Sequence, residues 1–258
     1  MMGKDSFLCG FKGRFRLFAK RHRGLLIFFF RLIPFYGNLD VLAQVFDTDK
    51  NFGHRYTRHY KHHFRKFRFR RAKVFEIGVG GFDDPVSGGA SLRMWKKYFP
   101  FGRIVSLDII DKRGLSESRI RIYHGSQTDP EILSRIADEN GEFDLIIDDG
   151  SHVSAHVITT FGLLFPRLKD GGIYVIEDLQ TSYWELFGGN RDLGAVGTSV
   201  NFLKGLVDGL NHAEFDIDGY EPSYFDLNIT EIHFYHNMVF IYKGKNTERS
   251  NFEGRAKR

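Results

Sequence analysis

Cysteine and long apolar runs are what this chain most clearly lacks. Cys9 is the only cysteine among 258 residues, which excludes an internal disulfide and a cysteine-based zinc site and favours a reducing compartment such as the cytoplasm. A helix that spans a bilayer needs about 20 apolar residues. The apolar run that begins at Leu25 is interrupted at Arg31 and meets Pro34, so it is too short to cross. No clear small-residue cleavage site follows it, and we expect no secretory leader.

Charge is distributed unevenly along the chain. Residues 1–73 contain 18 Lys and Arg against 4 Asp and Glu, a net charge of +14, whereas the remainder contains 19 against 28, a net charge of −9. A basic segment ahead of an acidic body suggests an anionic partner, either a membrane surface or nucleic acid. An interpretation of equal weight is a solvated basic face or a subunit contact onto the acidic body. The apolar run at Leu25 then forms either an interfacial helix or a helix packed in a core or dimer contact.

Strand and helix patterns alternate from Val74 onward, without internal repeats. The predicted strands are 74–78, 103–109, 120–124, 143–148 and 173–177, and the predicted helices between and after them are 91–98, 130–140, 152–168 and 198–210. Strands separated by helices form a parallel sheet with right-handed crossovers. Two closing strands, 231–235 and 238–242, are joined by two residues and predict a tight hairpin. Ahead of the sheet we predict helix over 25–47, broken near Pro34 and Gly37.

Two acidic doublets end two of the predicted strands. Asp148 and Asp149 follow one apolar strand, and Glu177 and Asp178 follow the next. Carboxylates in such places are costly to bury without a cation or a donor. In open α/β sheets, ligands bind outside the carboxyl ends of the strands, and Mg²⁺ favours a few carboxylate oxygens together with water and substrate oxygens. The doublets therefore predict a divalent metal at this edge.

A glycine turn after the first strand is the second candidate site. Gly78, Gly80 and Gly81 let the backbone approach a ligand closely. Their spacing departs from the dinucleotide fingerprint, so the turn alone is a weak indication. Beside the acidic doublets, it predicts a nucleotide-like cofactor bound next to the metal.

Two polar residues follow the neighbouring strands. Asp108 ends the second strand, where an acid can accept both ribose hydroxyl hydrogens, or can simply cap a turn. Gln127 follows the third strand and is placed to read an adenine edge, although this loop also fits a helix cap.

His152 lies three residues after Asp149. An imidazole there can take a proton from a hydroxyl near neutral pH. An isolated histidine is more often packed or capping, but the adjacent acids favour a functional role. His156, one helical turn later, is better explained as structural.

A set of motifs in order along the chain carries a family resemblance. They run through Phe75–Pro85, Gly88–Trp95, Gly125–Gln127, Asp148–His152 and Glu177–Trp184. These motifs resemble class I S-adenosylmethionine-dependent methyltransferases, and within them the metal-dependent sugar O-methyltransferases of the mycinamicin and macrocin type. The likeness spans about residues 47–190.

The resemblance implies an α/β, Rossmann-like class I methyltransferase fold. That fold has a mostly parallel seven-stranded sheet with an antiparallel C-terminal hairpin, helices on both faces and a helical N-terminal extension. We accordingly expect a basic, aromatic extension at 1–73, a catalytic domain at 74–245 and a flexible basic tail at 246–258.

The resemblance also implies roles for individual residues. Asp149, Glu177 and Asp178 would hold Mg²⁺, and His152 would act as the general base. His54 and Tyr56 match a recurring motif ahead of the core. The implied positions that bind S-adenosyl-L-methionine are Tyr56, Glu76, Gly78, Val79, Gly80, Gly81, Phe82, Ser91, Asp108, Gln127 and Asp148.

The implied activity is S-adenosylmethionine- and Mg²⁺-dependent methyl transfer to a sugar hydroxyl. The acceptor would be a glycoside, glycolipid or polysaccharide whose metal-held diol is deprotonated by His152. We expect a cytoplasmic enzyme, with peripheral contact of the basic N-terminus at the inner membrane face and a homo-oligomer as further expectations. Two alternatives stay open: an O-methyltransferase for a non-sugar hydroxyl, and a basic protein that binds nucleic acid or a membrane surface. A nucleic-acid substrate is not expected, because an acid-rich site repels phosphates.

Overall fold

Seven strands form one sheet across the residues that the computed structural model describes, 37–250. The apolar run at Leu25, Cys9 and the tail beyond residue 250 lie outside the described residues. The strands are β1 Lys73–Ile77, β2 Arg103–Asp108, β3 Ile120–His124, β4 Phe143–Asp148, β5 Leu168–Ile176, β6 Ile229–Tyr235 and β7 Met238–Lys243.

The sheet has the strand order β3-β2-β1-β4-β5-β7-β6. The first five strands pair in parallel, whereas β7 runs antiparallel to both β5 and β6. Tyr235 pairs with Met238 across the closing hairpin, and Asn237 adopts the left-handed backbone that its two-residue turn requires. The fold prediction is confirmed, including the antiparallel C-terminal hairpin.

Helices cover both faces of the sheet. They are α1 Leu39–Phe46, α2 Asp49–Phe52, α3 Thr57–Phe64, α4 Ala90–Tyr98, α5 Pro130–Asn140, α6 Ser154–Leu164, α7 Ser199–Leu210 and α8 Tyr224–Asn228. The apolar residues of α1, α3 and α4 form one core layer, and those of α5, α6 and α7 form the layer on the opposite face. Among the described residues, no helix combines the length and the hydropathy needed to cross a membrane.

Local chemistry explains where the elements begin and end. The Asp129 side chain accepts the backbone N–H groups of Glu131 and Ile132 at the start of α5, and Pro130 occupies its first turn. Gly141 follows the last residue of α5. These signals place both ends of α5 at the predicted residues.

The predicted helix over 152–168 is wrong at both ends. His152 has a left-handed backbone with φ of 58°, so α6 begins only at Ser154. Pro166 lies in a separate 3₁₀ turn, Phe165–Arg167, because proline cannot continue the α-helical hydrogen bonding. β5 begins at Leu168 rather than at 173, since Leu168 pairs with Phe143 before a shift in register.

The segment ahead of β1 packs into the same core as the sheet. The apolar side chains of Leu39, Leu42, Tyr60 and Phe64 are buried in a cluster that includes Phe240 of β7. This segment is helical, as predicted, and its burial places α2 and α3 against the carboxyl edge of the sheet. The boundary at residue 73 stays a prediction.

Candidate functional site

The acidic doublets meet because their strands are neighbours. Asp148 pairs with Ile77 of β1 and with Ile176 of β5. Beyond the strand ends, the Asp149 N–H donates to the Ile77 carbonyl at 3.1 Å, and the Glu177 N–H donates to the Asp148 carbonyl at 3.0 Å. The residues that follow β1, β4 and β5 are therefore side by side at one edge of the sheet.

Two buried acids and one half-buried acid surround a buried lysine, and we call this group the inner corner. Carboxylate oxygens of Glu76, Asp149 and Glu177 lie within 4.8 Å of one another. The Lys50 Nζ atom is 2.6 Å from Asp149 Oδ2, 2.7 Å from Glu177 Oε1 and 3.2 Å from Glu76 Oε1. The Tyr60 hydroxyl also donates to Glu177 Oε1. The Lys50 ammonium on α2 and the Tyr60 hydroxyl on α3 therefore contact acids at the carboxyl edge of the sheet.

Burial and charge act against each other in the inner corner. Burial alone would lower the pKa of Lys50, but Asp149, Glu177 and Glu76 raise that pKa well above its ordinary value, so the ammonium stays charged. Burial raises the pKa of Glu76 to about 7 despite Lys50. Burial, reinforced by Asp149, also raises the pKa of Glu177. The single positive charge of Lys50 therefore does not fully offset the cost of burying these acids in their ionised form.

A second group, the outer corner, shares Asp149 and faces solvent. Ligand atoms of Asp149, His152 and Asp178 lie within 4.8 Å of one another, and all three residues are half-buried. The His152 Nε2 atom is 3.6 Å from Asp178 Oδ2. The Tyr56 hydroxyl donates to Asp178 Oδ1 at 2.7 Å, and His54 Nδ1 lies 3.2 Å from the same oxygen.

The outer corner favours an ionised acid. Burial alone would raise the pKa of Asp178, but the Tyr56 hydrogen bond and the charges of His152 and His54 bring it below the ordinary value. Asp178 is therefore ready to hold a cation near neutral pH.

Two residues of the outer corner have strained backbones. His152 and Asp178 have φ angles of 58° and 55°, in the left-handed region that non-glycine residues rarely adopt. The Thr181 hydroxyl donates to the His152 carbonyl at 2.8 Å and so helps to hold this conformation. Strained backbone of this kind is typical of functional sites.

The glycine turn lies beside both corners. A Cβ atom at Gly78 would come within 2.2 Å of the Asp149 carbonyl oxygen, so only glycine allows this close approach. A Cβ atom at Gly80 would meet nothing within 4 Å, which indicates open space on that side of the loop. Val79 donates its N–H to Asp108 Oδ2 at 2.8 Å and ties the turn to the end of β2.

A buried lysine, Lys112, binds the main chain of the loop that contains the glycine turn. Lys112 donates to the carbonyl oxygens of Gly80 at 2.5 Å, Asp84 at 3.1 Å and Ser87 at 3.1 Å. Each of its three ammonium hydrogens thus has a main-chain acceptor, which fixes the loop without using any of its side chains.

The remaining predicted cofactor residues divide into two groups. Ser91 lies near the turn, because its hydroxyl donates to Glu76 Oε2 at 3.0 Å, and Phe82 is 94% exposed on the loop. The Gln127 amide is engaged inside the protein: it donates to Asp148 Oδ1 at 3.3 Å and accepts the Ser151 N–H at 2.8 Å. The cofactor roles of these residues stay predictions.

Asp148 and Tyr56 also have defined surroundings. Burial raises the pKa of Asp148 to about 7, and its Oδ2 atom is buried without a hydrogen-bond partner in the described part of the chain. Tyr56 contacts Asp178, one of the predicted metal ligands, rather than the glycine turn. A cofactor role for either residue stays a prediction.

The chemistry of the donors fits the predicted groups. The two corners offer carboxylate oxygens and one imidazole, a set suited to a hard divalent cation such as Mg²⁺. The open space at Gly80, with Asp108 at the next strand end, fits a nucleoside-containing cofactor at the carboxyl edge of the sheet. Asp149 joins Glu177 in the inner corner and Asp178 in the outer corner, so the three predicted ligands are adjacent.

The sequence did not reveal Lys50, Tyr60 or Lys112 as parts of the site. Lys50 is 99 and 127 residues from its partners Asp149 and Glu177, and lysines on short helices are usually exposed. The one available signal was position: Lys50 and Tyr60 flank the motif that contains His54 and Tyr56.

Comparison with known proteins places this geometry in a family. Residues 45–179 match a family described as a methyltransferase domain. The chain is 49% identical over 214 residues to the mycinamicin VI 2''-O-methyltransferase of Micromonospora griseorubida, a match that covers 82% of this chain and 54% of that relative. It is also 49% identical over 197 residues to the demethylmacrocin O-methyltransferase of Streptomyces fradiae, covering 76% of this chain and 50% of that relative.

A solved structure agrees with these sequence matches. The MycE methyltransferase of the mycinamycin biosynthetic pathway, crystallised with Mg and SAH, superposes with a TM-score of 0.83 at 46% identity, covering 86% of this chain and 59% of that one. This chain therefore spans about half the length of the relatives that it matches. With a matching seven-stranded sheet and more than half of its residues in the family match, the chain belongs to the methyltransferase domain family.

Proposed function

We propose that this chain transfers a methyl group from S-adenosyl-L-methionine to a sugar hydroxyl of a glycoside, in a Mg²⁺-dependent reaction. One observation carries the proposal: Asp149, His152 and Asp178 converge at the carboxyl edge of the sheet, beside the glycine turn. Support comes from the relatives that methylate mycinamicin VI and demethylmacrocin. A further MycE structure was crystallised with Mg, SAH and mycinamycin VI.

The residues of the chain divide the work. His152 takes the proton from the acceptor hydroxyl, and Asp178, 3.6 Å from its Nε2 atom, stabilises the imidazolium that forms. The acceptor oxygen then bonds to the methyl carbon as the carbon–sulfur bond of the sulfonium breaks, which leaves S-adenosylhomocysteine. Asp149, Glu177 and Asp178 would hold Mg²⁺, which when bound lowers the pKa of a coordinated hydroxyl and fixes its orientation.

A vicinal diol suits this arrangement best. A weakly acidic sugar hydroxyl gains little from a base alone, so it needs a cation beside the base. Glycosides with neighbouring hydroxyls are therefore the first substrates to test.

The direct test is methyl transfer by the full chain. S-adenosyl-L-methionine with a labelled methyl group, Mg²⁺ and a panel of glycosides, mycinamicin VI included, should give a product that is one methyl group heavier by mass spectrometry. A chelator should abolish transfer, and added Mg²⁺ should restore it. Transfer that continues unchanged in chelator would remove the metal from the reaction.

The basic N-terminal segment supports a separate part of the proposal, peripheral contact with the anionic inner face of a membrane. Exposed basic side chains on and after α3 include Arg58, Lys61, Arg65, Arg70 and Arg71. Binding to vesicles with anionic headgroups should weaken steeply as salt rises, and vesicles without such headgroups provide the control. Light scattering of the full chain tests the proposed homo-oligomer.

A further inference from the structure

The two corners of the site are two cation positions that share one acid. The inner corner contains the Lys50 ammonium among Glu76, Asp149 and Glu177. The outer corner contains Asp149 again, with His152 and Asp178. Under the proposed function, a divalent ion must bind close to His152, which belongs to the outer corner only.

Lys50 is held firmly in its position. Its carbonyl oxygen accepts the Tyr56 N–H at 2.7 Å, and the adjacent Asn51 side chain donates to the Asp40 carbonyl at 3.1 Å and accepts the Thr57 hydroxyl at 3.3 Å. The Lys50 side chain is 1% exposed. The ammonium is therefore a fixed part of the site and not a mobile surface charge.

The hydrogen bonds of the inner corner use one oxygen each of Asp149 and Glu177. Lys50 binds Asp149 Oδ2 and Glu177 Oε1, and Tyr60 binds the same Glu177 oxygen. The ion pairs of Lys50 with these two acids likewise use Asp149 Oδ2 and Glu177 Oε1. Each acid thus keeps a second oxygen for another cation.

We infer that Lys50 is the protein's own cation for the inner corner, and that it leaves to the divalent ion only the other oxygens of Asp149 and Glu177, together with Asp178, beside His152. This inference rests on the proposed Mg²⁺-dependent function. An ammonium and a divalent ion repel each other strongly over a few ångströms in a buried site, so both cannot occupy the inner corner. Lys50 is in this sense a positioning residue for the metal.

The composition of the inner corner shows why such a cation is needed. The inner corner has three carboxylates, of which two are almost fully buried and one is half-buried. The outer corner has two carboxylates and an imidazole. Without Lys50, the three carboxylates of the inner corner would have no cation among them and would bind a second divalent ion. The lysine thus turns a site with room for two ions into a site for one.

Counting bound ions tests this inference directly. Mn²⁺ replaces Mg²⁺ as the probe, and the full chain is compared with Lys50→Met, a substitution that removes the charge and keeps much of the side-chain volume. We expect one bound Mn²⁺ in the wild type and two in Lys50→Met by titration calorimetry. Because the two ions would share Asp149, paramagnetic resonance of the variant should show a spin-coupled pair, as in two-metal sites with ions about 4 Å apart.

A matched double variant controls for charge and for folding. Lys50→Met with Glu76→Gln has the net charge of the wild type and loses one acid from the inner corner only. We expect it to bind a single Mn²⁺ without spin coupling. Because the double variant loses one positive and one negative charge together, it also tests the role of Lys50 if Lys50→Met alone does not fold.

The outcomes separate this inference from the proposed function. One Mn²⁺ or none in folded Lys50→Met, or no Mn²⁺ in the double variant, would mean that Lys50 only supports the ligands, and would overturn the inference. Two Mn²⁺ ions in the wild type would overturn it as well. A wild type that binds one ion but transfers no methyl group to any glycoside would instead contradict the proposed function, and the ion counts would still decide the role of Lys50.

Discussion

The inner and outer corners use the same kind of side chain for opposite purposes. In the inner corner, Glu76 and Glu177 are buried and paired with Lys50 and Tyr60. In the outer corner, His152 and Asp178 are half-buried and have strained backbones, and His152 Nε2 lies 3.6 Å from Asp178 Oδ2. The first arrangement suits a permanent contact, and the second suits groups that exchange protons and ligands. Depth below the surface, rather than residue type, therefore distinguishes the supporting acids from the reacting ones.

The largest expected effect comes from the outer corner. Replacing His152 with alanine should reduce kcat by about 10²–10⁴-fold, the range for loss of a general base. Affinity for S-adenosylhomocysteine, measured by calorimetry, should change less than threefold. His62→Ala, on the exposed side of α3, provides the matched control and should retain wild-type kcat. Full activity in His152→Ala would contradict the assignment of the base.

The inner corner should instead govern how stability depends on pH. Burial raises the pKa of Glu76 from 4.5 to about 7, so the folded state binds a proton more tightly than the unfolded state. Its contribution to stability is complete below pH 4.5 and is lost as pH rises to about 7, on the order of a few kcal/mol. Asp148 acts in the same direction.

Denaturation in chelator measures this pH effect. The free energy of unfolding of the metal-free chain should fall between pH 5 and pH 7.5, and the fall should be smaller in Glu76→Gln. If the free energy of unfolding fell equally with pH in the two proteins, Glu76 would not be the cause of the pH dependence.

A smaller effect within the inner corner is expected for Tyr60→Phe. The change removes a hydroxyl that donates to a buried Glu177 oxygen, and hydrogen bonds to charged groups contribute about 1.5–3 kcal/mol. The free energy of unfolding should drop by that amount near neutral pH. Mg²⁺ affinity should weaken as well, because Glu177 loses one of the two groups that orient it. A variant as stable as the wild type would show that this hydroxyl contributes nothing.

The corresponding change in the outer corner should be the mildest. Tyr56→Phe removes the 2.7 Å hydrogen bond to Asp178, but Asp178 is half-buried and has solvent and His54 as alternative partners. We expect a loss of about 1 kcal/mol in the free energy of unfolding. Chemical denaturation of the two phenylalanine variants in parallel checks the order, and a larger loss for Tyr56→Phe would reverse the comparison.

The three predicted metal ligands could be found from the sequence, whereas the residues that support them could not. Asp149, Glu177 and Asp178 each follow an apolar strand, and neighbouring parallel strands bring their carboxyl ends together. Lys50 gives no such signal, because its partners are 99 and 127 residues away and no periodic pattern connects them. Its place depends on how α2 packs against the sheet, which only the tertiary structure decides.

The same distinction applies to the elements themselves. α5 was predicted at both ends because Asp129, Pro130 and Gly141 act locally. The start of α6 was misplaced because the left-handed backbone of His152 depends on contacts with a distant turn, such as the hydrogen bond from Thr181. Local capping chemistry is visible in the sequence, and conformations imposed by the site are not.

Lys112 has a consequence for how the sequence of this loop can vary. Its ammonium binds main-chain oxygens of Gly80, Asp84 and Ser87, so this support of the loop does not depend on the side chains that the loop displays. Asp83 and Val86, which are exposed on this loop, can therefore change in size and polarity while the backbone path is preserved. A lineage could retune this rim for a new molecule by point substitution, with no need to rebuild the turn beneath it.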